Sequence, residues 1–160
     1  MKIETGYTHG IIGDVVAMHA RYYGSAHGFG SAFESVVASG MSDFVPRLEK
    51  PINQIWHVKE NDHISASIAI DGEDMGDNCA HLRWFIVDDS LRGTGVGNKL
   101  MDCTVSFCQE TGFDKCVLWT FKGLDAARRL YEKNGFTLEE EYEGDQWGTK
   151  VVEQKFVRNF

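Results

Sequence analysis

Apolar and polar positions along the chain follow two periods, and the switches between them divide it into elements. Val15, Val16, Met18, His19 and Tyr22 recur at helical spacing behind Asp14, which predicts a helix from Gly13 to Tyr23 ended by Gly24. Phe33, Val36, Val37 and Phe44 carry a second helical line, from about Gly30 to Met41, and Pro46 and Pro51 bracket a loop beyond it. A short strand over Met1–Thr5 and a turn over Gly6–Gly10 precede these helices. Gln54–Lys59 and Ile64–Ile70 read as an antiparallel pair around Glu60-Asn61-Asp62-His63, with a polar, glycine-bearing turn at Asp71–Asn78. Cys79–Val87 is an almost unbroken aliphatic and aromatic run, the pattern of a buried central strand. A long helix over Gly95–Thr111 stops at Gly112, a compact strand covers Lys115–Thr120, and a helix over Leu124–Asn134 is closed by Asn134-Gly135. Thr137–Tyr142 and Thr149–Phe156 form a last hairpin across Glu143–Gly148. Strand-helix-strand-helix after an antiparallel pair predicts an α/β (α+β) chain, a mixed sheet with helices on both faces.

The junction of central strand and long helix carries the chemistry. Arg92-Gly93-Thr94-Gly95-Val96-Gly97 bends sharply into a helix start, where glycines let a ligand approach bare amides and the dipole favours an anion. A P-loop would need Gly-Lys-Ser/Thr, and Gly97 is followed by Asn98 and Lys99. A dinucleotide fingerprint would need Gly-x-Gly-x-x-Gly, and these glycines are spaced by two. What remains is Arg-x-x-Gly-x-Gly, whose guanidinium and amides suit a pyrophosphate.

The run from Phe85 through Leu100 resembles the acetyl-CoA-binding motif of the GNAT N-acetyltransferase superfamily, and Ala127-Arg-Arg-Leu-Tyr131-Glu-Lys-Asn-Gly-Phe136 resembles its second motif. Together with His19-Ala-Arg-Tyr-Tyr-Gly and Phe33-Glu-Ser-Val-Val, they look most like the acetyltransferase halves of bacterial helix-turn-helix regulator fusions. The chain starts almost at the first strand of such a half, so the expectation is the enzyme without the regulator. The resemblance implies the GNAT fold, a mixed and mostly antiparallel sheet of six to seven strands, in one domain over residues 1–160. It implies acetyl-CoA as co-substrate, with no metal.

Composition agrees. A chain of 160 residues with 42% hydrophobic content is long enough for one core without staples. No apolar run approaches membrane-spanning length and the start lacks a signal-peptide core, so the expectation is a cytoplasmic protein with no membrane partner. A formal charge of -8 with no basic run argues against nucleic acid. Cys79, Cys103, Cys108 and Cys116 make no Cys-x-x-Cys pair and read as structural thiols.

Acetyl transfer needs a grip on the donor, a polarised carbonyl, a base for the amine and an acid for the thiolate. The resemblance assigns the grip to the amides of residues 92–97 and the Arg92 guanidinium, with pantetheine lying along Phe85, Ile86 and Val87 like an added strand. It gives carbonyl polarisation to a backbone N–H near Ile86 or Val87. Tyr131 stands at the motif's tyrosine and is the general acid it implies. The motif's usual asparagine is Gly123 here, which leaves that position only a backbone contact. His81, eleven residues before Arg92, stands where many lysine-acetylating members of the family carry a catalytic glutamate; an imidazole can serve as base there, directly or through water. A strand histidine with no chemical role is the other reading. Arg83 is expected on the face of His81 and Phe85 by strand alternation, either paired with an internal acid such as Glu34 or clamping the carboxylate of an amino-acid-like acceptor. Tyr22, Tyr23 and His27 fall where the family builds its acceptor wall. Glu139-Glu140-Glu141 reads as a solvated hairpin, and Trp147 as part of the acceptor mouth or of a dimer contact, a homodimer being a state the sequence allows. The function read from all this is acetyl transfer to a small primary amine. The alternatives are transfer to a protein lysine or amino terminus, and a non-catalytic acyl-CoA sensor.

Overall fold

The computed structural model describes residues 1–160. Seven strands form one sheet: β1 (Glu4–Thr5), β2 (Gln54–Glu60), β3 (His63–Asp71), β4 (Cys79–Val87), β5 (Lys115–Phe121), β6 (Thr137–Gly144) and β7 (Val151–Asn159). Their spatial order is β1-β2-β3-β4-β5-β7-β6, and every neighbouring pair is antiparallel except β4 and β5. The mixed, mostly antiparallel sheet expected from the sequence is therefore present. β7 lies between β5 and β6, so the hairpin folds back and leaves β6 as an exposed edge. Glu139, Glu140 and Glu141 are exposed on that edge, in accord with a solvated hairpin.

Helices α1 (Ile11–His27) and α2 (Ser31–Phe44) cover one face. Ile11, Val15, Phe33, Val37, Met41 and Phe44 form a core there with Ile55, Ala69 and Phe121. Helices α3 (Val96–Thr111) and α4 (Asp125–Lys133) flank the other face, where Leu100, Met101, Cys108 and Tyr131 pack on Ile68, Ile70, Leu82, Leu118 and Phe156. Cys79, Cys108 and Cys116 are buried and all four cysteines are free thiols. No helix is long and apolar enough to cross a membrane.

Both amino-terminal helices run further than their periodicity predicts. α1 passes through Gly24, the expected stop, to Gly28, whose left-handed φ of 68° and N–H bond to Gly24 O close it. Gly24 is small for another reason: a Cβ there would lie 3.3 Å from the carbonyl oxygen of Phe29, where the chain turns back. α2 likewise continues past Met41 to Phe44, then into a 3-10 helix over Val45–Glu49 with Pro46 in its first turn, where a loop was expected. Its Gly40 faces Trp84 and Arg83; a Cβ would lie 2.9 Å from Trp84 Cζ2 and 3.0 Å from Arg83 Nη2.

Candidate active site

A 3-10 turn over Asp89–Leu91, capped by Asp88 Oδ1 on the Ser90 N–H at 3.0 Å, leads from β4 into the glycine turn. Gly93 and Gly95 take left-handed φ values of 78° and 84°, open to glycine without strain. The N–H groups of Gly93, Gly95, Val96, Gly97 and Asn98 find no acceptor in the protein, and α3 has no acidic residue in its first turn. An unneutralised cluster of donors at the positive end of a sixteen-residue helix fits a phosphate. The grip differs in detail from the expected run of amides over residues 92–97. Arg92 and Thr94 spend their N–H groups on Asp89 O and Leu91 O, holding the turn itself. The Arg92 side chain is half exposed, pairs with Asp89 at 3.0 Å, and lies 4.9 Å from the centroid of the Tyr22 ring on α1.

The sheet opens beside this turn. β4 and β5 pair only at Cys79–Lys115, Ala80–Cys116 and His81–Val117, and beyond His81 they part. A bulge deforms β4 within the same stretch: Arg83 faces Ala69 and Ile86 faces Ser67, so three steps on β4 match two on β3, and Trp84 adopts φ 50°. The buried Ser67 hydroxyl donates to the Trp84 carbonyl at 2.9 Å, pinning the bulge. The bulge reverses the alternation that was expected to put His81, Arg83 and Phe85 on one face. Phe85 and Val87 pack with the α3/α4 core, whereas Trp84 packs with the α1/α2 core. Because Asp88 N–H donates to Ser65 O at 2.8 Å, alternation turns the Ile86 N–H toward β3 and the Val87 N–H toward the gap. Of the two donors weighed from the sequence, Val87 is the one that faces the opening.

A cleft of about 1050 Å³ fills this opening, lined by Phe85, Ile86, Val87, Arg92, Gly93, Gly95, Val96, Gly97 and Gly123 and by Tyr22, Tyr23 and His27 of α1. Gly123 has φ 111°, beyond what asparagine ordinarily adopts, although a Cβ there would meet nothing within 4 Å. Tyr131, projecting from α4, lines the floor. Its ring packs against Phe85, Phe136 and Phe156, it is 6% exposed, and its hydroxyl makes no hydrogen bond within the protein. Burial, with Tyr23 nearby, pushes its pKa above the ordinary tyrosine value, so the phenol keeps its proton.

A second cavity of about 190 Å³ joins the cleft at Tyr23, Phe85, Leu124 and Tyr131 and continues between the two sheet halves. His81, Arg83, Trp84, Trp119 and Phe121 line it from the sheet, His19 and Phe33 from the helices, and Gln146 and Trp147 from the loop between β6 and β7. Trp147 lies 5.8 Å from Phe121, centroid to centroid, which places it in the cavity wall. Glu153, 2% exposed, accepts from the main chain and side chain of Gln146 and holds that loop down. Of the expected acceptor wall, Tyr23 reaches both spaces, while Tyr22 and His27 line the larger cleft. Burial pushes the Tyr23 hydroxyl up to about 12, and drops His19 to about 4 despite its 2.7 Å bond to Val15 O.

Arg83 is paired, but not with Glu34, which is exposed on α2. Its Nη1 lies 3.3 Å from Asp71 Oδ2 and 3.6 Å from Asp74 Oδ2, and its guanidinium stacks 4.1 Å from the Trp84 ring centroid. Asp71 is fully buried and also takes both terminal nitrogens of Arg47, at 3.0 and 2.7 Å. Burial pushes the Asp71 carboxyl up, but the Arg47 bonds and the N–H groups of Glu73 and Asp74 outweigh it and hold the pKa at about 2. His81 Nδ1 lies 2.7 Å from Asp74 Oδ2, and its ring stands edge-on to Trp119. Sequence reasoning missed these acids. The signal was the grouping of Asp71, Glu73 and Asp74 at the start of the turn that leads to the central strand, where a solvated turn was the simpler reading.

A seven-stranded mixed sheet splayed at its one parallel pair, with open amides at a helix start beside the splay, defines an acyl-CoA transferase fold. The chain belongs to the acetyltransferase (GNAT) family, whose model matches residues 17–136. Enzymes of this family use acetyl-CoA, and the free amides of the glycine turn fit the anionic part of such a donor. The chain is similar to N-acetylaspartate synthetase of Danio rerio, 28% identical over 122 residues, and that match spans 76% of this chain and 43% of the relative. Among solved structures it is similar to ribosomal-protein-alanine N-acetyltransferase from Brucella melitensis (TM-score 0.77, 11% identity, all of both chains). The PaiA N-acetyltransferase from Thermoplasma acidophilum, in complex with coenzyme A, is another (TM-score 0.70, 12% identity, all of both chains).

Proposed function

We propose that this chain is a single transferase domain that moves an acetyl group from acetyl-CoA to the primary amine of a small molecule, an amino acid with a free carboxylate, by direct transfer in a ternary complex. The observation that carries the reading is the small cavity behind the cleft, which has aromatic walls, one guanidinium, and a lid formed by the loop over residues 145–150. A peptide acceptor needs an open groove, and here Trp147 and the Gln146–Glu153 contact occupy that side. Arg83 keeps its Nε and Nη2 hydrogens free of protein acceptors, which leaves a fork for a substrate carboxylate although Nη1 is taken. The likeness to an enzyme named for N-acetylaspartate favours the same acceptor class.

Acetyl-CoA supplies the acetyl group as a thioester. The open amides of residues 93 and 95–98, with the Arg92 guanidinium, hold the pyrophosphate, and the exposed edge of β4 pairs with the pantetheine arm. The Val87 N–H donates to the carbonyl oxygen as negative charge grows there, a contribution of about 3 kcal/mol for such a donor. His81 Nε2 takes the proton released by the amine as its nitrogen bonds to the carbonyl carbon, and the Tyr131 hydroxyl gives a proton to the departing sulfur as the carbon–sulfur bond breaks. None of the four cysteines lines either space, so an acetyl-enzyme carried on a cysteine thiolate has no thiol to form on.

Three results test the assignment. Arg92→Ala is expected to raise the KM for acetyl-CoA roughly tenfold at unchanged kcat, since one charge-assisted contact at a half-exposed site is lost; an unchanged KM removes Arg92 from the grip. Thiol release from acetyl-CoA, followed against amino acids, polyamines, arylamines and short lysine peptides, is expected to be fastest with a free amino acid. Arg83→Ala is expected to raise the KM for that acceptor at least tenfold while sparing amines that lack a carboxylate. Equal effects on both acceptor types would contradict the clamp.

A further inference from the structure

We infer that Asp74 is a positioning residue that fixes the tautomer of His81, and that the buried Asp71 and Arg47 hold the turn that delivers it. The inference rests on His81 as the base of the proposed reaction and goes beyond it, to the device that makes a strand histidine competent. The β3–β4 register sets Asp71 directly across from His81, and the chain then needs only three residues to bring the Asp74 carboxylate back against the ring. The contact is 2.7 Å, with the two side chains 16% and 30% exposed, so it forms in a partly desolvated setting. A carboxylate only accepts, so Nδ1 must carry the hydrogen. Nε2, which has no partner in the protein, is then left with its lone pair on a ring that lines the acceptor cavity.

Asp74 is itself held. Its N–H donates to Asp71 Oδ1 at 3.2 Å, as that of Glu73 does at 3.0 Å, and Asp71 cannot turn away because Arg47 grips both of its oxygens. The fully buried carboxylate thus shapes the turn, and the partly exposed one points at the imidazole. Asp74 also stands 3.6 Å from Arg83, so one carboxylate orients both the base and the guanidinium assigned to the acceptor's carboxylate. During transfer the proton moves from the amine nitrogen to His81 Nε2, not on to Asp74, and leaves to solvent once the products depart; Asp74 remains a carboxylate and stabilises the transient imidazolium beside it.

The test uses the intact protein with 15N-labelled histidine, alongside steady-state kinetics on the best acceptor. Long-range 15N–1H correlation is expected to report His81 protonated on Nδ1 in the wild type. In Asp74→Asn the amide can donate to Nδ1 instead, so the hydrogen is expected on Nε2, with kcat reduced roughly a hundredfold, KM for acetyl-CoA unchanged, and a thermal midpoint close to wild type. Asp74→Glu, which restores the acceptor, is expected to recover the Nδ1–H tautomer and most of kcat. Wild-type tautomer and turnover in Asp74→Asn would overturn the inference, as would a loss of turnover that only tracks the fraction of folded protein. If the wild type turned over no amine, the reading of the reaction would fail by itself, and the tautomer comparison would still decide whether Asp74 sets the ring.

Discussion

Replacing Tyr131 with phenylalanine is expected to lower kcat roughly tenfold to a thousandfold and to leave the KM for acetyl-CoA within about twofold. The ring supplies the packing against Phe85, Phe136 and Phe156, and phenylalanine keeps it. The hydroxyl has no partner in the protein, so its removal leaves no buried group unsatisfied and the thermal midpoint should hold. What is lost is the phenolic proton that the proposed reaction delivers to the departing sulfur. Burial raises its pKa, which keeps the phenol protonated across the working range; the acid form is therefore ready before a thiolate develops. Steady-state kinetics with both substrates varied, next to a thermal melt, check the prediction. Undiminished kcat would take Tyr131 out of the mechanism.

Stability is expected to fall with acid in two pH windows, or stages, with separate causes. His19 is buried with a pKa near 4, below its ordinary 6.5. Between those values the unfolded chain binds a proton that the folded one refuses, so stability falls as pH falls through that window, by about 3 kcal/mol at full extent. His57, its pKa also lowered by burial, adds to this stage. Asp71 has its pKa held at about 2 against an ordinary 3.8. Its depressed value gives about 2 kcal/mol that is whole above pH 3.8 and lost as pH drops toward 2. Denaturant melts at a series of pH values check both stages. His19→Gln should flatten the first stage. Asp71→Asn should flatten the second and should lower stability at neutral pH by about 3 kcal/mol, because Arg47 and Arg83 lose the carboxylate they share. A stability flat between pH 6.5 and 4 in the wild type would contradict the assignment to His19.

What could be read from the sequence was whatever one period or one motif controls. β4 was expected over Cys79–Val87 and occupies those residues, because a continuous apolar run between polar turns has no other register. The glycine turn, α3 within a residue of its expected start, and the Asn134-Gly135 end of α4 follow from local backbone chemistry. The errors come from contacts across the fold. Gly24 looked like a stop and Gly40 sat beside an expected helix end, yet each is small because Phe29 in one case and Trp84 with Arg83 in the other approach closely. The bulge at Trp84 has no turn residue to announce it, and it moved Phe85 to the opposite face from Arg83. The partner of Arg83 was sought on the facing helix, whereas register and a tight turn supplied Asp71 and Asp74 from the neighbouring strand. Insertion of β7 beside β5, which puts Trp147 and Gln146 over the acceptor cavity, is a topological choice that a hairpin pattern does not encode.

On the proposed function, the cleft and the cavity behind it join acetyl-CoA to a small amine. The most direct test is mass spectrometry of the products formed when purified protein, acetyl-CoA and an equimolar mixture of free amino acids and small amines are incubated together, with free thiol measured in the same samples. The expected result is one acetyl group on an α-amine, in step with thiol release, and no acetyl group on the protein. Thiol release without an acetylated amine, or an acetylated protein as the main product, would contradict it.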